Sequence, residues 1–247
     1  MERRDFLKAA TAATVLAGAE GAVAQEAAQE AAQGAAQGAA QGAALQPIAL
    51  PAPEKDGGKT VLAALWERKT TRAIGKDPLP PQVLSNLLWA AFGVNREKAA
   101  FNKPGRTAAS ASNSQEIDLY VALPEGVYLY EAVPHRLAPV VGGDFRERAG
   151  RRGAASAPIN IFYIVDTARY DTGSGQPDHQ IGDPEVQKSY YYTDTGLIAQ
   201  NVYLFAASQG LAAWFHNCDR ENTPRELKLR PEQRVLFAQS VGYPSAG

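Results

Sequence analysis

The sequence predicts an α+β domain: a central mixed, mainly antiparallel sheet flanked by helices. Two observations carry this. Apolar residues alternate with polar ones at 117–121, and 127–130, 159–165 and 235–243 also read as strands, interleaved with runs of helical period at 61–68, 83–91 and 197–208. The first two strands are joined only by Pro124-Glu125-Gly126, a hairpin turn. A hairpin in place of a crossover argues against a doubly wound parallel sheet. No Gly-x-Gly-x-x-Gly follows any strand, so a Rossmann dinucleotide site is not indicated.

The chain opens with Glu2-Arg3-Arg4-Asp5-Phe6-Leu7-Lys8, a mildly apolar run at 9–19, and Ala22-Val23-Ala24. That is the order of a twin-arginine export signal over residues 1–24, which implies a periplasmic or otherwise exported protein. An amphipathic helix that stays attached is the alternative. The run is too short and too rich in Ala and Thr for a membrane anchor. The twin-arginine route carries folded proteins, often with a cofactor inserted, so the signal favours a bound cofactor. Residues 25–58 read as a low-complexity tether: Gly34, Gly38 and Gly42 interrupt an Ala/Gln repeat, and Gln46-Pro47 and Pro51-Ala52-Pro53 end it.

Residues 59–247 suit one domain. The formal net charge is −1, with both signs interspersed, and gives no case for nucleic acid. The single cysteine, Cys218, excludes an intramolecular disulfide, so stability must come from packing or oligomerisation.

The elements follow in order. The 61–68 helix carries Leu62, Leu65 and Trp66 on one side, and the prolines of 78–81 break the chain. Val83, Leu84, Leu87, Leu88 and Ala91 then recur at helical spacing up to Gly93, with Trp89 and Phe92 extending the buried face. Ile117, Leu119 and Val121 predict a half-buried strand, and 127–130 returns beside it. Another strand follows Pro158. Asp194 is the expected cap of a long helix ending at Gly210. Residues 211–215 read as a short buried extended segment, and Pro244 stops the last strand.

Two polar clusters are candidates for binding. Arg68-Lys69-Thr70-Thr71-Arg72 gathers three cations and two hydroxyls at a helix end. Guanidinium groups bind phosphate bidentately and hydroxyls add short bonds; a solvated charged helix terminus is the plainer reading. The second cluster is the 110–115 loop, where small residues let a flat ligand approach the backbone. Ser110 and Asn113 there offer a hydroxyl and an amide; an ordinary turn is its plainer reading. His135, His179 and His216 lack ligand spacing, so no metal site is expected. Cys218 is either a small buried apolar group or a neighbour of the ligand. Tyr190-Tyr191-Tyr192 reads as a loop packing over site or core, or as a stacking lid. No motif for hydrolysis stands out.

Taken in order, these motifs resemble the nitroreductase family of flavoenzymes. The match runs through 68–72, through the 84–96 run that ends Phe92-Gly93-Val94-Asn95-Arg96, and through the 110–115 loop. It continues with Ala157-Pro158 before a strand, Gln200-Asn201 on a helix and Val241-Gly242-Tyr243-Pro244. The Arg106-Thr107-Ala108 loop and the 126–130 hairpin are also similar to relatives that dehydrogenate azoline rings. The resemblance implies a nitroreductase-like fold and a homodimer with FMN at the subunit interface. It implies that Arg68 and Thr70 meet the phosphate and ribityl chain, with Arg72 near the ribityl chain and the pyrimidine edge and Lys69 counted among the cofactor-binding residues. Ser110 and Asn113 would contact the ring from the partner subunit, and Asn217 and Cys218 fall where family backbone amides approach the ring. Three departures stand out: Ala109 replaces the loop's proline, Asn217-Cys218 replaces a Glu-Gly pair, and the sequence given stops at Gly247, short of a basic phosphate clamp that Arg106 or Lys69 could replace.

The implied activity is ping-pong hydride transfer through flavin N5 to or from a small nitroaromatic, quinone or heterocyclic substrate, with no protein acid or base assigned. Export makes NAD(P)H an uncertain donor. A flavin- or small-molecule-binding protein without turnover, or a relic without flavin, are the other readings.

Overall fold

A computed structural model describes residues 45–150, 153–170 and 179–245. The expected export signal and most of the Ala/Gln/Gly repeat lie outside the described residues. Strand β1 is Ile48–Ala49, so the domain begins within the stretch expected to be tether. Ile48 pairs with Leu137 and Ala49 with Arg136, and Ser85 Oγ donates to the Pro51 carbonyl at 2.5 Å.

Helix α1, Val61–Glu67, is capped by Thr60, whose side chain accepts from the Ala63 N–H at 3.3 Å. Helix α2, Pro81–Phe92, starts on a proline at its first turn, where a missing N–H costs nothing. After it come β2 (Val94–Arg96) and β3 (Gly105–Arg106), a two-stranded ribbon apart from the main sheet. The main sheet contains β4 (Ile117–Leu123), β5 (Gly126–Glu131) and β6 (Arg136–Gly142). The short helices α3 (Arg146–Ala149) and α4 (Gly153–Ser156) precede β7 (Ile159–Asp166). The long helix α5, Pro184–Gln209, leads to β8 (Ala212–His216), the short α6 (Thr223–Glu226) and β9 (Gln233–Gly242).

The seven-stranded sheet has the order β1-β6-β5-β4-β7-β9-β8. Every described pairing in it is antiparallel, in line with the mainly antiparallel sheet expected, and no parallel pairing makes it mixed among the described residues. Strand β6 was not predicted because Pro139 breaks the alternation; it faces Tyr128 at an irregularity in the ladder. The strand expected to be half-buried, β4, is buried on both faces. Ile117, Leu119 and Val121 join α2 and α5 in the main core, with Leu87, Leu88, Ile198 and Val202. Tyr120 and Ala122 point the other way, into a smaller cluster with Phe162, Ile164 and Leu227.

Two helices depart from expectation. Helix α5 starts at Asp183, which accepts from the Glu185 N–H at 2.9 Å and is followed by proline. Asp194 is therefore no cap, being buried about three turns inside the helix. Tyr190, Tyr191 and Tyr192 are helical too, with Tyr191 buried and Tyr192 exposed. The helix ends at Gly210, whose φ of 70° is left-handed. Helix α1 packs on α5 yet buries only Ala64. Its apolar side faces outward: Leu62 is 73 % and Trp66 90 % exposed.

Candidate functional site

The 68–72 segment lies against the edge strand β8. Arg68 closes α1, its N–H donating to Ala64 at 2.8 Å, and the Thr71 N–H donates to the Ala213 carbonyl at 3.0 Å. Each guanidinium rests over a ring. Arg68 Cζ is 5.4 Å from the Tyr203 centroid of α5, and Arg72 Cζ is 5.5 Å from the Trp214 centroid of β8. The Tyr203 hydroxyl lies 3.0 Å from Thr70 Oγ1 and accepts from the Phe215 N–H at 2.8 Å, which fixes the platform under Arg68. Among the described residues, neither Arg68, Lys69 nor Arg72 pairs with a carboxylate. The two guanidiniums are thus held on aromatic faces and remain open to an anion.

Trp214 and His216 alternate along β8 and share a face, with centroids 4.6 Å apart. His216 is anchored by Ser240 Oγ at 2.8 Å from Nε2, and burial draws its pKa down. A side chain on Gly153 would come within 2.7 Å of the Arg72 carbonyl, so the loop before β7 closes against this segment. Asn217 follows, its side-chain oxygen accepting from Arg220 at 3.2 Å. Cys218 packs against the smaller core cluster, and burial pushes its thiol up to about 11. It also lines a cavity of about 480 Å³ with Arg148, Asn217 and Asp219.

The 110–115 loop is turned by left-handed backbone at Ser112, Asn113 and Gln115 (φ 49°, 50° and 54°). Its own bonds hold this shape. The Asn113 N–H donates to the Ser110 carbonyl at 3.0 Å and the Gln115 N–H to Ser110 Oγ at 3.1 Å. Asn113 donates from Nδ2 to Ala100 at 2.9 Å and accepts from Gln115 Nε2 at 2.9 Å. One N–H and one lone pair of that amide remain for a ligand, as does the Ser110 hydroxyl hydrogen. Gln115 is an internal strut: it accepts from Arg106 Nε at 2.7 Å and donates to Pro104 at 2.7 Å.

This loop is docked by Asp194, whose Oδ2 accepts from the Ala111 N–H at 2.8 Å. Glu116, fully buried, stands beside Asp194 and is bonded by Ser114 Oγ at 2.5 Å. Burial first, and the Glu116 charge second, raise Asp194 to about 7. Tyr170 and Tyr191 face the same pair, and the Lys103 ammonium is near Glu116. Because the folded value exceeds the unfolded one, the contribution to stability is full at low pH and is lost as pH rises through about 7. We expect the melting temperature to fall between about pH 5 and about pH 7, where the unfolded carboxyl has ionised and the folded one has not, and to level off above. Asp194→Asn keeps the acceptor for Ala111 and mimics the protonated acid. It should flatten that fall, as read by thermal melts at both pH values; a fall of unchanged size contradicts the assignment.

The structure therefore brings Arg68, Lys69, Thr70 and Arg72 against Ala213, Trp214 and Phe215 of β8, with Asn217 and Cys218 beyond the end of that strand, and sets Ser110 and Asn113 in a second cluster. Both clusters hang on α5, through Tyr203 and Asp194. These are nine residues apart, or about 14 Å of helix. Sequence reasoning missed Tyr203, Trp214 and Asp194 as supports. The Trp214/His216 alternation beside a cationic segment was the available signal. Of the histidines, His135 is engaged by Ser85 Oγ at 2.7 Å and the Tyr130 hydroxyl at 2.9 Å. Among the described residues no three His, Cys, Asp or Glu side chains are grouped to hold a metal ion.

Comparison with known proteins gives a consistent outcome. The profile of the nitroreductase family matches residues 65–243. A protein described as a nitroreductase from Ralstonia eutropha, of known crystal structure, is 31 % identical; the likeness has a TM-score of 0.72 and covers 82 % of this chain and 91 % of that one. One from Methanocaldococcus jannaschii is 27 % identical over 190 residues, 72 % of this chain and 88 % of the relative. A third, from Anabaena variabilis, shares the fold at 19 % identity and a TM-score of 0.62, over 81 % of this chain and 42 % of its own.

Proposed function

The chain belongs to the nitroreductase family, and on that premise we propose that it is an FMN-dependent oxidoreductase working as a homodimer. The observation that carries the reading is the pair of guanidiniums, Arg68 and Arg72, fixed over Tyr203 and Trp214 with no carboxylate partner among the described residues. This donor set fits a phosphate and the hydroxyls of a ribityl chain: two planar forks, the Lys69 ammonium and the Thr70 hydroxyl. Ser110 and Asn113 supply the bonds that orient the ring, from the partner's loop if the family arrangement holds. Trp214 and the backbone at Asn217-Cys218 bound the site on its β8 side.

When bound, FMN supplies reversible hydride chemistry, and the protein's part is binding, orientation and exclusion of water. No side chain is needed as an acid or base. The substrate we favour is a small nitroaromatic, quinone or heterocycle, the last on the likeness of the 106–110 loop to the azoline-dehydrogenase branch. The outward apolar side of α1 supports a dimer, because contiguous exposed patches of this kind mark association surfaces. The Arg3-Arg4 signal supports an exported enzyme, and hence a donor other than cytoplasmic NAD(P)H.

An anaerobic redox cycle tests the reading. Dithionite should bleach the flavin absorbance of the purified protein, and a nitroaromatic or quinone should restore it at a rate saturating with its concentration. Restoration by neither acceptor, or restoration no faster than with free FMN, contradicts an oxidoreductase and leaves a binding protein.

A further inference from the structure

The charges around the 110–115 loop are one-sided. A groove of about 480 Å³ is lined by Arg96, Arg106, Thr107, Ser110 and Asn113. Lys103 stands beside it, with its ammonium 3.4 Å from the Asn113 carbonyl and 3.3 Å from that of Ser114. Among the described residues, no carboxylate pairs with any of these three cations. The nearby acids are committed: Asp118 is bound by Arg169 at 2.6 Å, and Glu116 is buried against Ser114 and Asp194.

Arg106 is the informative member. It is half-buried, yet the groups it touches directly are neutral: Nε donates to Gln115 Oε1 at 2.7 Å, one terminal nitrogen donates to Phe92 O at 3.2 Å, and the guanidinium lies 4.9 Å from the Phe92 ring centroid, while Asp118 and Arg169 act on it only through space. These bonds fix its plane while leaving three of its five N–H donors unused. Holding a cation out of water without a counter-ion is costly, and an incoming anion offsets that cost. Backbone strain gathers at the same place. Of the seven non-glycine residues with left-handed backbone among the described residues, Phe101, Asn102, Ser112, Asn113 and Gln115 flank this groove. Phe101, 44 % exposed, adds an apolar surface close by.

We propose that this groove is a recognition subsite for the carboxylate of a flat aromatic or heterocyclic substrate, with Arg106 as its fixed anchor and Arg96 as its solvent-side partner. Its place in turnover rests on the flavin reading; its binding chemistry rests on the groove alone. A phosphate offers the same oxyanion chemistry, so the test separates the two.

Benzoate, phenyl phosphate and neutral benzamide are titrated calorimetrically into the protein as purified. Benzoate should bind about tenfold or more tightly than benzamide, the range of a charge-assisted bond. Arg106→Gln should remove that preference. Because Arg106 also ties Phe92 to Gln115, the exposed Arg96→Gln serves as a second variant that leaves the fold intact, and it should weaken benzoate severalfold with benzamide unchanged. Equal binding of benzoate and benzamide, or a preference untouched by either exchange, overturns the subsite. Phenyl phosphate binding well above benzoate overturns the carboxylate assignment in favour of a phosphorylated ligand. The flavin absorbance of the same samples is read in parallel: colourless protein that prefers benzoate refutes the flavin reading and upholds the subsite.

Discussion

Exchanging Arg68 and Arg72 together for glutamine should leave a folded protein that no longer retains FMN. Both side chains lie at the surface of the fold, over Tyr203 and Trp214. Losing two such contacts costs about 0.5–1 kcal/mol each at exposed sites. The cost to the ligand is far larger. Each hydrogen bond to a charged group is worth about 1.5–3 kcal/mol, so the double exchange should weaken FMN binding by roughly 10²–10⁴-fold. Flavin fluorescence titrations measure the affinity, and thermal melts confirm the fold. Unchanged affinity would move the phosphate away from this segment, with the Arg96–Arg106 groove the next cationic place to look.

The second large effect concerns assembly. Val61, Leu62, Leu65 and Trp66 are 68 %, 73 %, 49 % and 90 % exposed on one short helix. Covering such side chains gains about 1.5–3 kcal/mol for each one fully buried, and a carboxylate placed among them adds a desolvation penalty. Trp66→Glu, reinforced by Leu62→Glu, should convert a dimer to monomers at micromolar concentration, as read by light scattering after size exclusion. Flavin occupancy should fall with it, because the Ser110 and Asn113 contacts come from the partner in the proposed dimer. The fold should survive, since neither residue contributes to either core cluster. A variant that remains dimeric assigns the interface to another face.

How much of this was legible in the sequence varies element by element. Strand β4 announces itself by its alternation, β5, β7 and β9 as short apolar runs, β5 and β7 entered at Gly126 and Pro158 and β9 stopped at Pro244, and α2 because its apolar period ends at Gly93. Strand β6 is hidden by Pro139, and β1 is a two-residue pairing that only the β6 edge makes possible. The start of α5 was misplaced because Asp194, flanked by threonines, looks like a cap locally. The real start, Asp183-Pro184, adjoins a polar stretch with no apolar period. Burial of β4 on both faces depends on α5 on one side and on Leu227, Val235 and Ala238 on the other, all of which arrive much later in the chain.

The candidate site divides in the same way. Arg68 to Arg72 is visible as a charge cluster because its residues are contiguous. Its platform is not, since Tyr203 lies 133 residues from Thr70 in sequence and meets it only through α5 and β8. The support of the 110–115 loop is equally remote, Asp194 being 83 residues from Ala111. Contiguous chemistry can be read from a chain; the rings and carboxyls that fix it are chosen by the fold.

The central claim is that Arg68 to Arg72 and the 110–115 loop hold FMN, and the absorbance spectrum and mass of the cofactor in natively purified protein test it most directly. The account predicts a yellow protein with maxima near ~375 and ~450 nm, releasing FMN on denaturation. A colourless protein that also fails to take up added FMN would contradict it.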